Sequence, residues 1–552
     1  MNPANRLAPP LSILSGCLLS VCLLLSAGAA CAQEASVPPP RTFSQAVQQV
    51  VSRPLYKHAI FGIEVYSLDS GKILFSLNGE TLFTPASTTK LLTEGTALHY
   101  LGADYLFHTF IYRTGKIDRS GTLKGDLVLV ASGDPNLSNR VQPDGTLAFM
   151  NHDHSYGGQQ ARLVPGDPLQ VLRRFAGQIA AAGVKRVQGN VWVDTSMFPE
   201  GARESGTGTV VSPIAVNDNL IDVAVSPGAT VGSAADLKFS LHVPYIHFDN
   251  KIVTGTAGSR LSVSNETTVA PDGTKTVTYK GSIPLGASAD FHNYAVSSPS
   301  RFTEALLKEA LADDGITVEG KGDSKKPDFN KIKHFYNAKY QVAEHASPPL
   351  SQEVKVTLKV SQNLHANMMP FVLGAVVGKA TQKIDQKGLA LERSFLEKGG
   401  LDLDGASQSD GAGVVRAAFF TPDFMVHYLA YMTRQPDFPT FKHALPILGR
   451  DGTLSRTQVH SAAAGHVFAK TGGYSNFDML NMRNMLLGKG LAGYTTTPAG
   501  EHLTFAIYVN HVALPDVPDA AQTIVGEALG EIAAAAYELP IHSGTIQDVT
   551  PD

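Results

Sequence analysis

One change of texture constrains this chain more than any other feature. Between about Ala103 and Ala289 it breaks into short strand-like runs, "GDLVLVASGDP", "GNVWVDTSMF", "LIDVAVSPG", "LKFSLHV" and "KTVTYKG", separated by Gly, Pro, Asn and Asp. Runs of this length between turn formers predict a β-rich body, interrupted by one helical segment near Leu169 to Ala182. The flanks read differently. Upstream, "FGIEVYSLD", a turn at Ser70-Gly71-Lys72 and "ILFSLNGE" predict a hairpin. Downstream, "SRFTEALLKEALADDG" places Leu306 and Ala310 on one helical face with Gly315 as its stop, and "LSQEVKVTLKVSQN" repeats Leu350, Val354 and Leu358 every four residues. The chain closes with an apolar strand, "HLTFAIYVNHV", and a helix near Pro518 to Tyr537 whose Val525, Leu529 and Ile532 share a face. This order predicts one α/β (α+β) domain, a sheet with flanking helices, built from 42–102 plus 290–552 and split by a large β-rich insertion at 103–289.

The first 32 residues stand apart. Arg6 precedes an apolar run from Leu11 to Leu25 and a small-residue end, Ala30-Cys31-Ala32, which reads as a signal peptide cleaved after Ala32. The run is short for a membrane span, so the expectation is a periplasmic or extracellular protein without a transmembrane anchor. A lipoprotein reading at Cys17 has the right local form, but the apolar run continues past that cysteine instead of ending before it. Cys17, Cys22 and Cys31 all lie in this leader, so the exported chain has no disulfides and must be held by ordinary cores. Residues 33–41, including "EASVPPPR", form a Pro-rich linker. The formal net charge of −4 becomes one unit more negative once Arg6 leaves, which excludes a nucleic-acid binder. The lysine-rich piece "KGDSKKPDFNKIKHFYNAK" reads as a solvated linker rather than a patch for an anionic polymer.

Chemistry enters at "FTPASTTKLLTEG", Phe83 to Gly95. With Thr84 as N-cap and Pro85 at the first helical position, a helix would carry Ser87 in its first turn and Lys90 one turn on, facing each other. A serine hydroxyl becomes a nucleophile only when a base takes its proton, and a lysine can do so only when neutral. Burial, the positive end of the helix dipole or a second cation would each lower its pKa. A Ser/Lys pair at this spacing occurs once or twice by chance in a chain of ordinary composition, so the pattern needs partners.

Two are present. Ser361-Gln362-Asn363, after the amphipathic helical run, offers a hydroxyl and an amide two residues apart; by itself it would be a polar loop or cap. Lys470-Thr471-Gly472 ends a short apolar run in "GHVFAKTGGYSNFD". Such a strand at a sheet edge can pair with an extended peptide, Gly472 permitting close approach. Lys470 and Thr471 would then hold a carboxylate, Lys470 would serve as the second cation beside Lys90, and the N–H groups of Ser87 and Gly473 would form an oxyanion hole.

On these motifs the chain resembles the penicillin-recognising serine D,D-peptidases, specifically the low-molecular-mass class C penicillin-binding proteins (penicillin-binding protein 4 type, peptidase family S13). "LGADYLFHT", "LKGDLVLVASGDPNLS", "GNVWVDTSMF", "DGAGVVR", "LPILGRDGTL" and "AGYTTTPAGEHLTFAIYVNH" carry the likeness over nearly the whole chain beyond the leader, and the long Ser87-to-Ser361 gap is a hallmark of the group. The resemblance implies a serine β-lactamase/D,D-transpeptidase-like sheet with flanking helices. It also implies a serine D-Ala-D-Ala carboxypeptidase that removes the terminal D-alanine from peptidoglycan stem peptides, and extends to D,D-crosslinks, through an acyl-enzyme that β-lactams also form. Carried over, Ser87 is the nucleophile, Lys90 its base, Ser361 and Lys470 the proton relay, Asn363 a ligand of the substrate amide and Thr471 of its carboxylate; no cofactor or metal is implied. Two departures stand out. Relatives carry a Trp-rich segment with an aspartate where this chain has "PEGARESGTGTVVS", its sole tryptophan being Trp192, which leaves recognition of the stem peptide's third residue without its usual reader. They also place a hydroxyl residue where Gly473 stands. "NMRNMLLGKG", Asn481 to Gly490, reads as extra length between the last strands, a lip on the cleft.

Three other readings compete. A zinc D,D-peptidase would use His152 and His154 of "NHDHSYG", but catalytic zinc needs about three protein ligands and no HExxH is present. A β-lactamase shares the Ser/Lys chemistry and differs in adding a base for deacylation, which the sequence does not show. A non-catalytic peptidoglycan-binding protein of the same fold would be expected to lose one of Ser87, Lys90, Ser361, Asn363 or Lys470.

Overall fold

The computed structural model describes residues 39–320, 326–414 and 418–541, and the backbone of 544–545. The leader, Cys17, most of the linker and Lys321 to Lys325 lie outside the described residues. Among those described, no helix is long and apolar enough to cross a membrane.

The predicted hairpin is present. Ile60–Ser67 pairs antiparallel with Lys72–Leu77, with an irregularity between Val65 and Tyr66. It continues into a six-stranded sheet ordered Val467–Asp478, Arg483–Thr496, His502–Ala513, Ile60–Ser67, Lys72–Leu77 and Gly544–Thr545. The first strand of the chain thus pairs with one laid down more than four hundred residues later, Ile63 opposite Ile507. Alternate residues of a strand point to opposite faces, and here both faces are covered. Along His502–Ala513, Leu503, Phe505, Ile507 and Val509 enter one core with Phe43, Val47 and the C-terminal helix Glu527–Glu538. Ala506 and Tyr508 enter another, shared with Leu91, Leu98, Met368 and Met425 from helices Lys90–Leu101, Asn363–Val376 and Pro422–Met432. That two-sided burial explains why "LTFAIYV" is continuously apolar instead of alternating. Each large side chain so buried contributes roughly 1.5–3 kcal/mol.

The β-rich stretch forms its own sheets around a separate core containing Leu127, Leu129, Phe175, Val193, Val223 and Val277. One sheet runs Gln341–Ala346, His108–Arg113, Leu127–Val130 and Val191–Asp194. Strand pairing in this body therefore continues to Ala346, past the 289 drawn from sequence. Helices Gln170–Ala181 and Pro299–Asp313 appear where periodicity predicted them, and Gly315, at φ +76°, follows the second.

The long strands Val467–Asp478 and Arg483–Thr496 end in a turn whose Met479, Leu480 and Met482 are exposed. The extra length foreseen at Asn481 to Gly490 is thus a projecting hairpin tip plus the start of the next strand.

Candidate active site

The nucleophile segment does not open as an ordinary helix. Thr84 is not its cap. Ala86–Thr89 form a 3₁₀ turn entered from Pro85, and the α-helix begins only at Lys90. Ala86 sits at φ +44°, left-handed for a residue that has no preference for it. The backbone N–H and the hydroxyl of Thr88 both donate to the Pro85 carbonyl, at 3.2 and 2.9 Å. Gly472 lies against that same carbonyl: a Cβ there would fall 2.3 Å from Pro85 O and 3.2 Å from the nitrogens of Ser87 and Thr88. The close approach that sequence assigned to a bound peptide is first an approach of the Lys470-Thr471-Gly472 strand to the serine turn.

The pair expected from spacing is made. Lys90 Nζ stands 2.6 Å from Ser87 Oγ, 2.7 Å from Asn363 Oδ1 and 3.3 Å from the Ala412 carbonyl. Lys90 and Lys470 are both 0 % exposed. Burial pushes Lys90 down to about 7, against the upward pull of Glu204, Asp410 and Glu94. Lys470 is held well below the usual lysine range by burial first, then by the charges of Lys90 and Lys489. The sequence argument had this the other way round, with Lys470 as the reason for a neutral Lys90. Loss of water does that work, and the electrostatic pressure is recorded at Lys470, whose Nζ donates to the Thr471 carbonyl at 2.8 Å.

Ser361 ends helix Leu350–Val360 in a left-handed conformation, φ 64° and ψ 36°, with its N–H bonded to Thr357 O. The turn launches the next helix at Asn363, capped by the Gln362 side chain, which accepts from Leu364 N. Both ends of the Asn363 amide are occupied by protein. Its Oδ1 meets Lys90 and, at 3.3 Å, the Tyr156 hydroxyl, and its Nδ2 donates to Glu204 Oε1 at 3.2 Å. Tyr156 also donates to the Ser361 carbonyl.

Ser87, Ser361, Asn363, Thr471, Gly472 and Gly473 line one cavity of about 920 Å³. Lys90 and Lys470 are buried behind its wall. Thr471 Oγ1 donates to Thr453 Oγ1 at 2.8 Å. The strand bearing Lys470 to Gly473 is the outer strand of its sheet; its first residues bridge to Ile447 on that flank, and Thr471 to Asn476 line the cavity.

Sequence reasoning missed Tyr156 and Glu204. Both come from the β-rich body, Glu204 from the very stretch marked as a departure from relatives. Its carboxylate accepts from Thr207 N at 2.6 Å as well as from Asn363. The signal was there in "GARESGTG": a lone acid among glycines and hydroxyl residues, able to cap its own loop.

His154, weighed as a zinc ligand, instead lies in a buried charge network. It contacts Asp222 Oδ1 at 2.6 Å and Asp218 Oδ2 at 2.7 Å. Asp153, His154 and Asp218 approach closely enough to share a cation, and the Arg140 guanidinium fills that part, 2.5 Å from Asp153 and 2.9 Å from Asp218. His152 lines the cavity. The network reaches the Ser361 motif, since Gln362 Nε2 donates to Asp218 at 3.1 Å and His365 Nε2 meets Asp218 at 2.8 Å.

With this geometry in hand, comparison with known proteins is direct. Residues 43–528 match the D-Ala-D-Ala carboxypeptidase 3 (S13) family. The chain belongs to that family. Among relatives of this S13 chain is the D-alanyl-D-alanine carboxypeptidase of Actinomadura sp. (strain R39), 29% identical over 508 residues that span 88% of this chain and 84% of the relative. D-alanyl-D-alanine carboxypeptidase DacB of Haemophilus influenzae is 24% identical over 506 residues, 86% of this chain and 90% of that one. The crystal structure of penicillin binding protein 4 (dacB) from Haemophilus influenzae superposes with a TM-score of 0.67 at 20% identity, covering 89% of this chain and 98% of the other. The fold expected from the resemblance is therefore present, and the S13 chain is a serine-type D-Ala-D-Ala carboxypeptidase.

Proposed function

We propose that Ser87 is the acylated nucleophile and Lys90 its general base. One observation carries the reading: a fully buried amine, brought to about 7 by loss of water, 2.6 Å from a serine hydroxyl at a cavity wall. A base poised near the working pH transfers protons efficiently in both directions. Ser87 Oγ attacks the carbonyl carbon of the penultimate D-alanine while its proton passes to Lys90 Nζ. The oxyanion is held by the N–H groups of Ser87 and Gly473. The C–N bond then breaks, and the leaving amine takes a proton relayed through Ser361 and Lys470. Water reverses the sequence, freeing the shortened peptide and Ser87.

Asn363 would have to exchange its present partners for the substrate amide. Tyr156 and Glu204 support the alternative role of holding Asn363 and the Ser361 carbonyl in place. Thr471, beside Gly472 and Gly473, would receive part of the substrate carboxylate. We further propose export through the leader at 1–32, stem peptides of peptidoglycan as substrate, β-lactams as covalent inhibitors, and an inserted body that begins near 103.

Ser87→Ala should abolish labelling by a fluorescent penicillin and release of D-alanine, with the fold retained by circular dichroism. Losing such a nucleophile costs about 10⁶ in rate, so a variant that still labels ends the reading. Mass analysis of muropeptides then separates the activities. Loss of one alanine is carboxypeptidase action, split dimers are crosslink cleavage, and rapid penicillin turnover without either is β-lactamase action.

A further inference from the structure

Gly473 stands two residues past Thr471, on the same face of its strand, and so presents no side chain to the cavity that both line. Its partner across the sheet is Lys489. Residues directly opposite in an antiparallel pair share a face, and Lys489 lines the same cavity. A Cβ built on Gly473 would lie 3.6 Å from both Lys489 Cδ and Nζ, so the lysine arches beside the ground that the glycine leaves bare.

The state of this lysine is unusual. It is 7 % exposed. Its Nζ donates to Gln522 Oε1 at 2.9 Å, a neutral amide. Among the described residues, no carboxylate comes within 4.0 Å of it. Burial lowers it to about 8 while Asp519, another residue of the cavity wall, raises it, which leaves it largely protonated at neutral pH. An ammonium has three donors and no acceptor, and a buried charge without a counter-ion is costly unless an anion arrives.

Position says which anion. Gly472 packs against the Ser87 nitrogen, and one strand residue advances by about 3.3 Å. Gly473 and Lys489 thus lie about one residue from the nucleophile, where a peptide cleaved at its last bond ends. We propose that Lys489 binds the C-terminal carboxylate of the substrate and makes this chain select peptides that end one residue beyond the scissile bond. The inference rests on the acyl-serine reading above.

The test uses wild type, Lys489→Met and Lys489→Arg with a peptide ending in D-alanyl-D-alanine and with the same peptide as its C-terminal amide. Wild type should prefer the free acid. In Lys489→Met, kcat/KM for the acid should drop 10- to 100-fold, on the order expected for a hydrogen bond to a charged group, mainly through KM, and much further than for the amide. Lys489→Arg keeps the charge and should keep the preference even if the methionine variant folds poorly. An acid-to-amide ratio in Lys489→Met equal to that of wild type overturns the proposal, as does an arginine variant without the preference. Failure of wild type to release D-alanine from either peptide would instead sink the acyl-serine reading, and this proposal with it.

Discussion

Two buried clusters of charge-bearing side chains meet at the Ser361 motif, and they resolve burial in opposite ways. Around Arg140 every ion faces an opposite ion. Burial by itself would lower His365, but Glu353 and Asp218 raise it to about 10. Burial would raise Asp218, but Arg140 and His365 hold it well below the usual carboxylate range. Around Lys90 the carboxylates Glu204, Asp410 and Glu94 are too weakly placed to offset burial, and Lys470 has burial and the charges of Lys90 and Lys489 against it, so burial wins. Equal burial therefore favours the charged forms in one cluster and shifts the amines of the other toward their uncharged forms. What decides is whether a partner of opposite sign was folded in with the ion.

The largest effect should come from removing the Lys90 amine. Lys90→Met is expected to lower kcat/KM by about 10⁴ or more, because nucleophile and base act as one unit, while stability at pH 7 is held or gained, since a desolvated amine is replaced by an apolar side chain. A variant that loses both activity and stability would break the contrast.

Arg140→Met should do the reverse. Leaving Asp153 and Asp218 buried without the guanidinium should destabilise by about 3–5 kcal/mol, read by urea unfolding. A loss under ~1 kcal/mol would mean that the histidines alone can hold the carboxylates.

The pH dependence of stability separates the clusters further. His365 has a folded pKa near 10 against an unfolded value of about 6.5, so its contribution is complete below 6.5 and fades as pH rises through 10. Lys90 has a folded pKa near 7 against about 10.4 unfolded, so the stability it withholds below 7 returns as pH climbs toward 10. Relative to wild type, Lys90→Met should lose up to about 1.4 kcal/mol per pH unit between 7 and 10. Parallel unfolding curves across that range would contradict this assignment.

The smallest effect concerns the Glu204 carboxylate, which accepts from Asn363 beside Lys90. The acylation rate should rise with pH through about 7, as Lys90 loses its proton. Glu204 raises Lys90, so Glu204→Gln should move that rising limb to lower pH, by about half a unit. Movement to higher pH would show that Glu204 acts by another route.

Sequence disclosed what is local. The hairpin at Ile60 to Leu77, the helices with four-residue apolar repeats and the Ser87/Lys90 spacing all depend on neighbours within a few residues. Tyr156 and Lys489 escaped because they come to the site through loop packing or strand register, and nothing in their immediate surroundings marks them; the glycines and hydroxyl residues around Glu204 mark a self-capping loop but not its reach to Asn363. Ala86 was invisible for another reason: alanine gives no hint of a left-handed backbone, and the glycines that pack on its turn, Gly472 against Pro85 and Ser87 and Gly413 against the Ala86 carbonyl, are distant in sequence. The middle residue of Ser361-Gln362-Asn363 looked like filler, yet Gln362 is the one that touches Asp218.

The neighbouring glycines 472 and 473 also set the routes open to drift. At Gly472 any side chain would collide with the Pro85 carbonyl, so changes there should be purged whatever the selective pressure. At Gly473 an added Cβ would meet only ordinary contacts with Lys489. Natural variation that retunes inhibitor sensitivity has room to accumulate at 473, and drug pressure should leave its mark there and not one residue earlier.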